Sequence, residues 1–174
     1  GLGDVYKRQV YFRALRKILP SKFGFKKRER HPPKDPINSL LSYGYTVLLS
    51  RVEYGLMRAG LNPYEGFLHT GYRGRASLSY DLIEEFRQPI VDRVVVTMVS
   101  KRRINAEDFE RGKEMCYIKE EAKRTYLDAL YTRMESKYRY EGKEISFLDI
   151  IFEQAKKIVK SISEDTKYKG FRWR

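Results

Sequence analysis

The chain predicts an all-α fold, and three observations carry that reading. Apolar residues recur at spacings of three and four over long stretches. Helix punctuation stands where those stretches begin and end: Asp35-Pro36 opens one run and Gly60 closes it. Strand-like alternation is confined to a few residues near Cys116, and no internal repeat is present. With 174 residues the chain is long enough for one large domain with a real core.

Taken in order, Gly1 to Gln9 (GLGDVYKRQ) lack the periodicity that begins at Val10. They resemble a translated sequencing adapter and are set aside as a non-native leader, leaving 10–174 as the domain. Val10 to Leu19 predicts a short helix ended by Pro20, and Lys22 to Lys34 a basic connector containing Gly and Pro. Asp35 then serves as N-cap with Pro36 at the first helical position, where a missing N–H costs nothing. That helix runs to about Ala59 and is apolar almost all round from Leu40 to Leu49, which predicts a place in the middle of the domain. A further helix is predicted from Tyr80 to Ser100, with Pro89 kinking it. Lys101 to Lys113 reads as a charged connector. Two amphipathic helices follow, about Lys119 to Tyr138 and Ser146 to Ile162, with Gly142 in the turn between them.

Composition bounds the partners. Lys+Arg 36 against Asp+Glu 23 gives a net charge of +13, which favours anionic partners, chiefly nucleic acid or acidic lipid. Between Lys7 and Lys34 there are 11 Lys/Arg and a single acid, Glu29. Phe23, Phe25 and two prolines would hold those charges on a semi-rigid strip, so Arg28, Arg30 and Lys34 are candidate phosphate contacts. His31, beside two prolines, reads as solvent-facing. No apolar run approaches the roughly 20 residues of a membrane-spanning helix, which predicts a soluble protein without a membrane partner. The single cysteine, Cys116, rules out an internal disulfide and a multi-cysteine zinc site. It reads as core filler in a protein of the reducing cytoplasm.

The chemistry-bearing stretch runs from Asn62 to Asp92 and holds His69, one of two histidines. On a helix beginning at Tyr80, Asp81, Glu84 and Glu85 fall within about 100° of arc, with Leu82, Ile83, Phe86, Ile90 and Val94 opposite. His69, Asp81 and Glu84 are therefore candidate catalytic residues. Together they could supply three ligands for Mg²⁺ or Mn²⁺, which take oxygen donors and, for Mn²⁺, an imidazole. Such a metal can activate an oxygen nucleophile at a phosphodiester. Arg73 and Arg75, with Gly71 and Gly74 allowing close approach, are placed to hold a phosphate beside it. On spacing alone the commoner arrangement is a surface helix with a hydrogen-bonded histidine, and the metal site is the alternative.

The residues HPPKDPINSLLSYGYTVLL, then GLNPYEGFLHTGYRGRASLSYDLIEEFRQPIVDRV, and the closing YKGFRWR resemble the catalytic helical domain of the CRISPR spacer-acquisition integrases. These are the larger, catalytic member of the two universal adaptation proteins. The resemblance covers Val10 to the C-terminus, with the motifs in the family's order and spacing. It implies an all-α catalytic domain, normally preceded by a small β-rich domain that is absent here. It also implies a homodimer joined to a small ferredoxin-like partner, using Mg²⁺ or Mn²⁺ to insert double-stranded DNA at a repeat array. By the same resemblance the histidine ligand falls on His69, a carboxylate ligand on Glu84, and its neighbouring aspartate on Asp81. The third ligand, a glutamate in the family, falls on Asp4 within the leader, which puts this chain's own activity in doubt. The competing reading is a non-catalytic all-α nucleic-acid-binding module, for which His69→Ala would be harmless.

Overall fold

The computed structural model describes residues 1–61 and 74–174, with side chains of the second stretch from 78 onward. Among the described residues there are six α-helices and two small two-stranded sheets, which bears out the all-α reading. The helices are α1 (Leu2–Ile18), α2 (Pro36–Arg58), α3 (Gly74–Glu84), α4 (Arg93–Ser100), α5 (Glu120–Glu135) and α6 (Phe147–Ser163). The strands β1 (Phe109–Arg111) and β2 (Cys116–Ile118) form one antiparallel pair, β3 (Lys137–Tyr140) and β4 (Lys143–Ser146) the other.

The chain packs as two compact units, one of Gly1–Gly44 with Arg93–Ala129, the other of Tyr45–Asp92 with Leu130–Arg174. The helix α2 contributes its first turns to one and the remainder to the other. Its start is built as the sequence predicts. Asp35 Oδ1 accepts the Asn38 backbone N–H at 2.9 Å, and Oδ2 accepts the Asn38 amide at 2.6 Å. Its end is a Schellman turn: Gly60, at φ +92°, donates to Met57, and Leu61 donates to Leu56. The helix α2 is buried all round only at its start, where every residue over 36–41 is buried. Beyond Leu41 the buried side chains narrow to a stripe of Leu48, Val52 and Leu56, while Thr46 and Ser50 face solvent. One buried face suffices to anchor a helix this long.

In the first unit, Leu15, Phe23, Phe25, Ile37, Leu41, Met98, Phe109 and Tyr126 are buried. The Tyr126 hydroxyl donates to the Leu40 carbonyl at 2.7 Å, satisfying its one polar atom inside the core. Two expectations need correction here. The helix α1 does not begin at Val10 but runs from Leu2, and every residue from Gly1 to Val10 is exposed. No proline interrupts that stretch and the poor helix former Gly3 stands only in the first turn, so continuity rather than burial extends it. The presumed connector Lys101 to Lys113 contains a short 3₁₀ turn, Ala106–Asp108, and the strand β1.

In the second unit α6 starts at its N-cap, Ser146, whose hydroxyl accepts the Asp149 N–H at 3.1 Å. Its buried face is Phe147, Ile150, Ile151, Gln154, Ala155 and Ile158. It packs closely on α2, since a Cβ added at Gly55 would lie 3.0 Å from Ile151 Cγ2. The helix predicted through Tyr138 stops at Glu135, and Lys137–Ser146 forms a hairpin instead. Its two-residue turn, Glu141-Gly142, has φ of +50° and +80°, the sign that tight hairpin loops require.

The helix predicted from Tyr80 to Ser100 is interrupted where Pro89 stands. The last turn of α3 tightens, with Glu85 donating to Leu82 and Phe86 to Ile83. A widened turn, Arg87–Asp92, then leads into α4. Proline has no N–H for the ladder, so a change of helical pitch accommodates it. Leu82, Ile83, Phe86 and Ile90 are all buried, as their phase predicts.

Candidate functional site

The candidate carboxylates lie at the end of α3, and the structure divides them. Asp81 and Glu84 are exposed, one turn apart on the same helix. Glu84 Oε1 sits 2.6 Å from Arg87 Nη1, with 48% of the Glu84 side chain accessible against 16% for Arg87. The Arg87 guanidinium also lies over the Tyr45 ring, 4.7 Å from its centroid. Its Nε is buried without a hydrogen-bond partner among the described residues. Arg87 is thus pinned between a ring and a carboxylate, and holds Glu84 toward solvent.

Glu85 goes the other way. Its Oε1 accepts the Phe171 N–H at 2.7 Å, the Gln154 amide at 3.0 Å and the Tyr168 hydroxyl at 2.8 Å. The Tyr168 hydroxyl is equally close to Oε2. Burial raises the Glu85 carboxyl above the ordinary range, against the opposing effect of the Phe171, Tyr168 and Gln154 donors; the Asp81 charge adds to the rise. Burial and the Glu85 charge likewise push the Tyr168 phenol upward. Around this network Phe171 stacks on Phe86 at 5.2 Å and meets Tyr138 edge-on at 5.7 Å. The closing YKGFRWR segment is therefore tied to the end of α3. The sequence reading placed Glu85 beside Asp81 and Glu84 and gave the tail no position. Its aromatic and glycine content was the available signal.

His69 and Arg73 lie outside the described residues, as does the side chain of Arg75, and so does the expected approach of His69 to Glu84. Among the described residues no group of three His, Cys, Asp or Glu side chains is gathered as a metal site. The donor chemistry of the pair that is described fits a hard divalent cation: two solvent-facing carboxylates at i and i+3. Asp4 is exposed on α1, with Oδ2 3.2 Å from the N-terminal ammonium.

On the basic strip, Arg30, His31 and Lys34 are exposed. Arg28 has an internal role that the sequence reading did not foresee. Its guanidinium donates to Asn38 Oδ1 at 2.8 Å, to Ser42 Oγ at 2.9 Å and to the Glu29 carbonyl at 2.7 Å. A charge expected to reach outward is thus turned into the loop, because the buried Asn38 and the half-buried Ser42 offer it acceptors one helical turn apart.

Fold and surface together define an all-α domain that presents paired carboxylates from one helix end and a cationic loop elsewhere. Comparison then supplies the family. Residues 6–132 match the model described as CRISPR associated protein Cas1, and the chain belongs to that family. A relative from Methanospirillum hungatei, named CRISPR-associated endonuclease Cas1 1, is 41% identical over 166 residues, covering 95% of this chain and 50% of the relative. Among solved structures, one titled "Casposase bound to integration product" superposes with a TM-score of 0.80 at 27% identity, covering 94% of this chain and 47% of that one. One titled "Cas6-RT-Cas1--Cas2 complex" gives a TM-score of 0.79 at 29% identity, covering 99% of this chain and 19% of that one. The chain spans about half the length of the curated relatives it matches first. No helix among the described residues is long and apolar enough to cross a membrane.

Proposed function

We propose that this chain is the catalytic helical part of a metal-dependent DNA endonuclease and integrase of CRISPR adaptation, joining new spacer DNA to a repeat array by phosphodiester strand transfer. The observation that carries the reading is the exposed Asp81 and Glu84 pair on α3, in a chain whose relatives are named endonucleases and whose structural neighbour is a casposase bound to its integration product. His69 and Glu84 would hold Mg²⁺ or Mn²⁺, with Asp81 beside them. Such a metal, when bound, would polarise the phosphodiester and activate a 3′-hydroxyl. Arg87 keeps Glu84 turned outward, and Arg73 and Arg75 are the candidates for gripping the phosphate at the reacting strand. The partners of this reading are double-stranded DNA, a second copy of the chain and a small ferredoxin-like protein. The solved neighbour titled "Cas6-RT-Cas1--Cas2 complex" supports a protein partner as such. The compartment of this reading is the cytoplasm.

The non-catalytic alternative also has an observation in its favour, because a carboxylate paired with the arginine three residues on is ordinary helix-surface chemistry. Strand transfer of a labelled duplex into a repeat-containing plasmid, with Mn²⁺ and the small partner, separates the two. Taking as parent a chain with a native-like N-terminal segment bearing glutamate at position 4, Glu84→Gln or His69→Ala should lower the rate more than about a hundredfold, the scale on which loss of one charge-stabilising group is felt at a reacting centre. DNA affinity should stay within about threefold of the parent, because affinity resides mainly in the backbone contacts. Equal rates for parent and variants would leave the binding-module reading.

A further inference from the structure

We propose a second nucleic-acid contact, apart from the carboxylate site: a phosphate-binding cleft in the first unit where Lys26, Lys27 and Lys34 converge with Arg111. It rests on the DNA-acting reading above and adds a binding site to it. The cleft has a volume of about 300 Å³ and is lined by these four cations together with Gly24, Glu29 and Asp35. That volume is on the order of ten waters, enough for a sugar-phosphate unit.

The backbone that carries the cations is anchored. Phe23 and Phe25 are buried to 0% and 6% accessibility, so the loop between α1 and α2 is anchored at alternate residues while its lysines point out. At the far end Asn38 clamps the backbone: its amide donates to the Lys27 carbonyl at 2.8 Å and its oxygen accepts the Glu29 N–H at 2.8 Å. The hairpin carrying Arg111 is fastened to the same loop, because Cys116 N–H donates to the Pro33 carbonyl at 2.9 Å and Ser39 donates to the Cys116 carbonyl at 2.7 Å. Arg111 comes up against Gly24, its Nη2 3.6 Å from where a Cβ would stand, and the left-handed φ of +66° is what favours glycine there.

Among the described residues none of Lys26, Lys27, Lys34 and Arg111 forms an ion pair. Four cations outnumber the two acids of the lining, Glu29 and Asp35, and neither acid is ion-paired with them among the described residues. Both oxygens of Asp35 are taken by Asn38, and Asp35 is itself buried. A set of cations without ion pairs around a concavity selects an anion, and the anchored backbone lowers the ordering cost to that of the side chains. The occupant is a phosphodiester backbone and not an acidic peptide, because the cations continue along the same strip through Lys22 and Arg30 with Glu29 as the only acid. A run of like charges fits a polymer with regularly spaced charges.

The test is the salt dependence of duplex DNA binding by the full chain. The quadruple variant Lys26→Gln, Lys27→Gln, Lys34→Gln, Arg111→Gln should flatten the slope of log affinity against log salt by about 2 to 4 units. Its melting temperature should stay within about 2 °C of the parent, since all four side chains are exposed. A control removing Lys137, Arg139 and Lys143 from the β3–β4 hairpin should change the slope by less than about one unit. Should the quadruple variant fail to melt cooperatively, Arg111→Gln and Lys34→Gln singly, each expected to remove about one unit, decide the matter. An unchanged slope with DNA binding intact would overturn the cleft and leave the integrase reading standing. An equal effect from the hairpin control would overturn it too, as general charge. A parent chain with no salt-dependent DNA binding would remove the integrase reading, and the cleft with it.

Discussion

Replacing Glu85 with alanine should release the C-terminal tail and destabilise the second unit by about 2–4 kcal/mol. The magnitude follows from what the carboxylate accepts: the Phe171 N–H, the Tyr168 hydroxyl and the Gln154 amide. Hydrogen bonds to a charged acceptor contribute about 1.5–3 kcal/mol each, but the site is only partly buried and water can reach part of what is lost. The burial that raises the Glu85 carboxyl works in the opposite direction, since alanine removes a charge that was costly to desolvate. Together these bring the sum to the stated range, a fall in melting temperature of about 5–15 °C for a chain of this size. Limited trypsin digestion supplies the local readout: Lys167, Lys169 and Arg172 are exposed on the tail and should be cut faster once Phe171 is no longer held. Glu85→Gln, which keeps one acceptor oxygen, should lose less than half as much. A Glu85→Ala chain that melts within about 1 kcal/mol of the parent, with its tail cut no faster, would refute the tie between tail and α3.

Three further outcomes follow from the same geometry. Arg28→Ala should cost about 1–3 kcal/mol in denaturant unfolding by removing the donor to Asn38 and Ser42, whereas Arg30→Ala, fully on the surface, should cost less than about 0.5. Equal stabilities would return Arg28 to the solvent-facing strip. Burial pushes the Cys116 thiol above its usual range, so less thiolate forms at any given pH; alkylation at pH 8 should be slow in the native chain and complete in guanidinium. Labelling at the rate of a free cysteine would contradict the burial of β2. Finally, the resemblance places the third metal ligand at Asp4, where the family has glutamate. The chain as given should show little metal-dependent strand transfer, and a native-like segment bearing glutamate at that position should restore it. Full activity with Asp4 in place would show that the shorter side chain suffices.

The legible parts of the fold were those with local chemistry of their own. Asp35-Pro36 and Gly60 mark α2 because a cap and a left-handed turn depend on a few adjacent residues. The strong apolar stripe of α6 was readable for the same reason. The hairpin β3–β4 was not, because Tyr138 continues the three-and-four spacing of Leu127, Leu130, Tyr131 and Met134, so the helical pattern runs on past Glu135. The competing signal was present: Lys137 and Arg139 are exposed while Tyr140 is buried, a period of two. Its turn residues, Glu141-Gly142, lack the asparagine or aspartate that usually announces such a loop.

The site separates along the same line. Helical phase grouped Asp81, Glu84 and Glu85, and for Asp81 and Glu84 the structure keeps both on the exposed side. Glu85 follows a different course because α3 tightens at its last turn and the chain must then widen around Pro89, so a phase of 100° per residue no longer holds there. The partners of Glu85 stand 69 to 86 residues further along the chain, and no spacing rule relates them. Arg28 shows the converse. Its charge marked it for an outside ligand, yet Asn38 and Ser42, spaced four apart on α2, present two acceptors to one guanidinium. A charged side chain turns inward when the fold offers it satisfied hydrogen bonds, and composition cannot report that offer. Lys26, Lys27, Lys34 and Arg111 received no such offer among the described residues. That is the physical ground for seeking their counter-charges in a ligand.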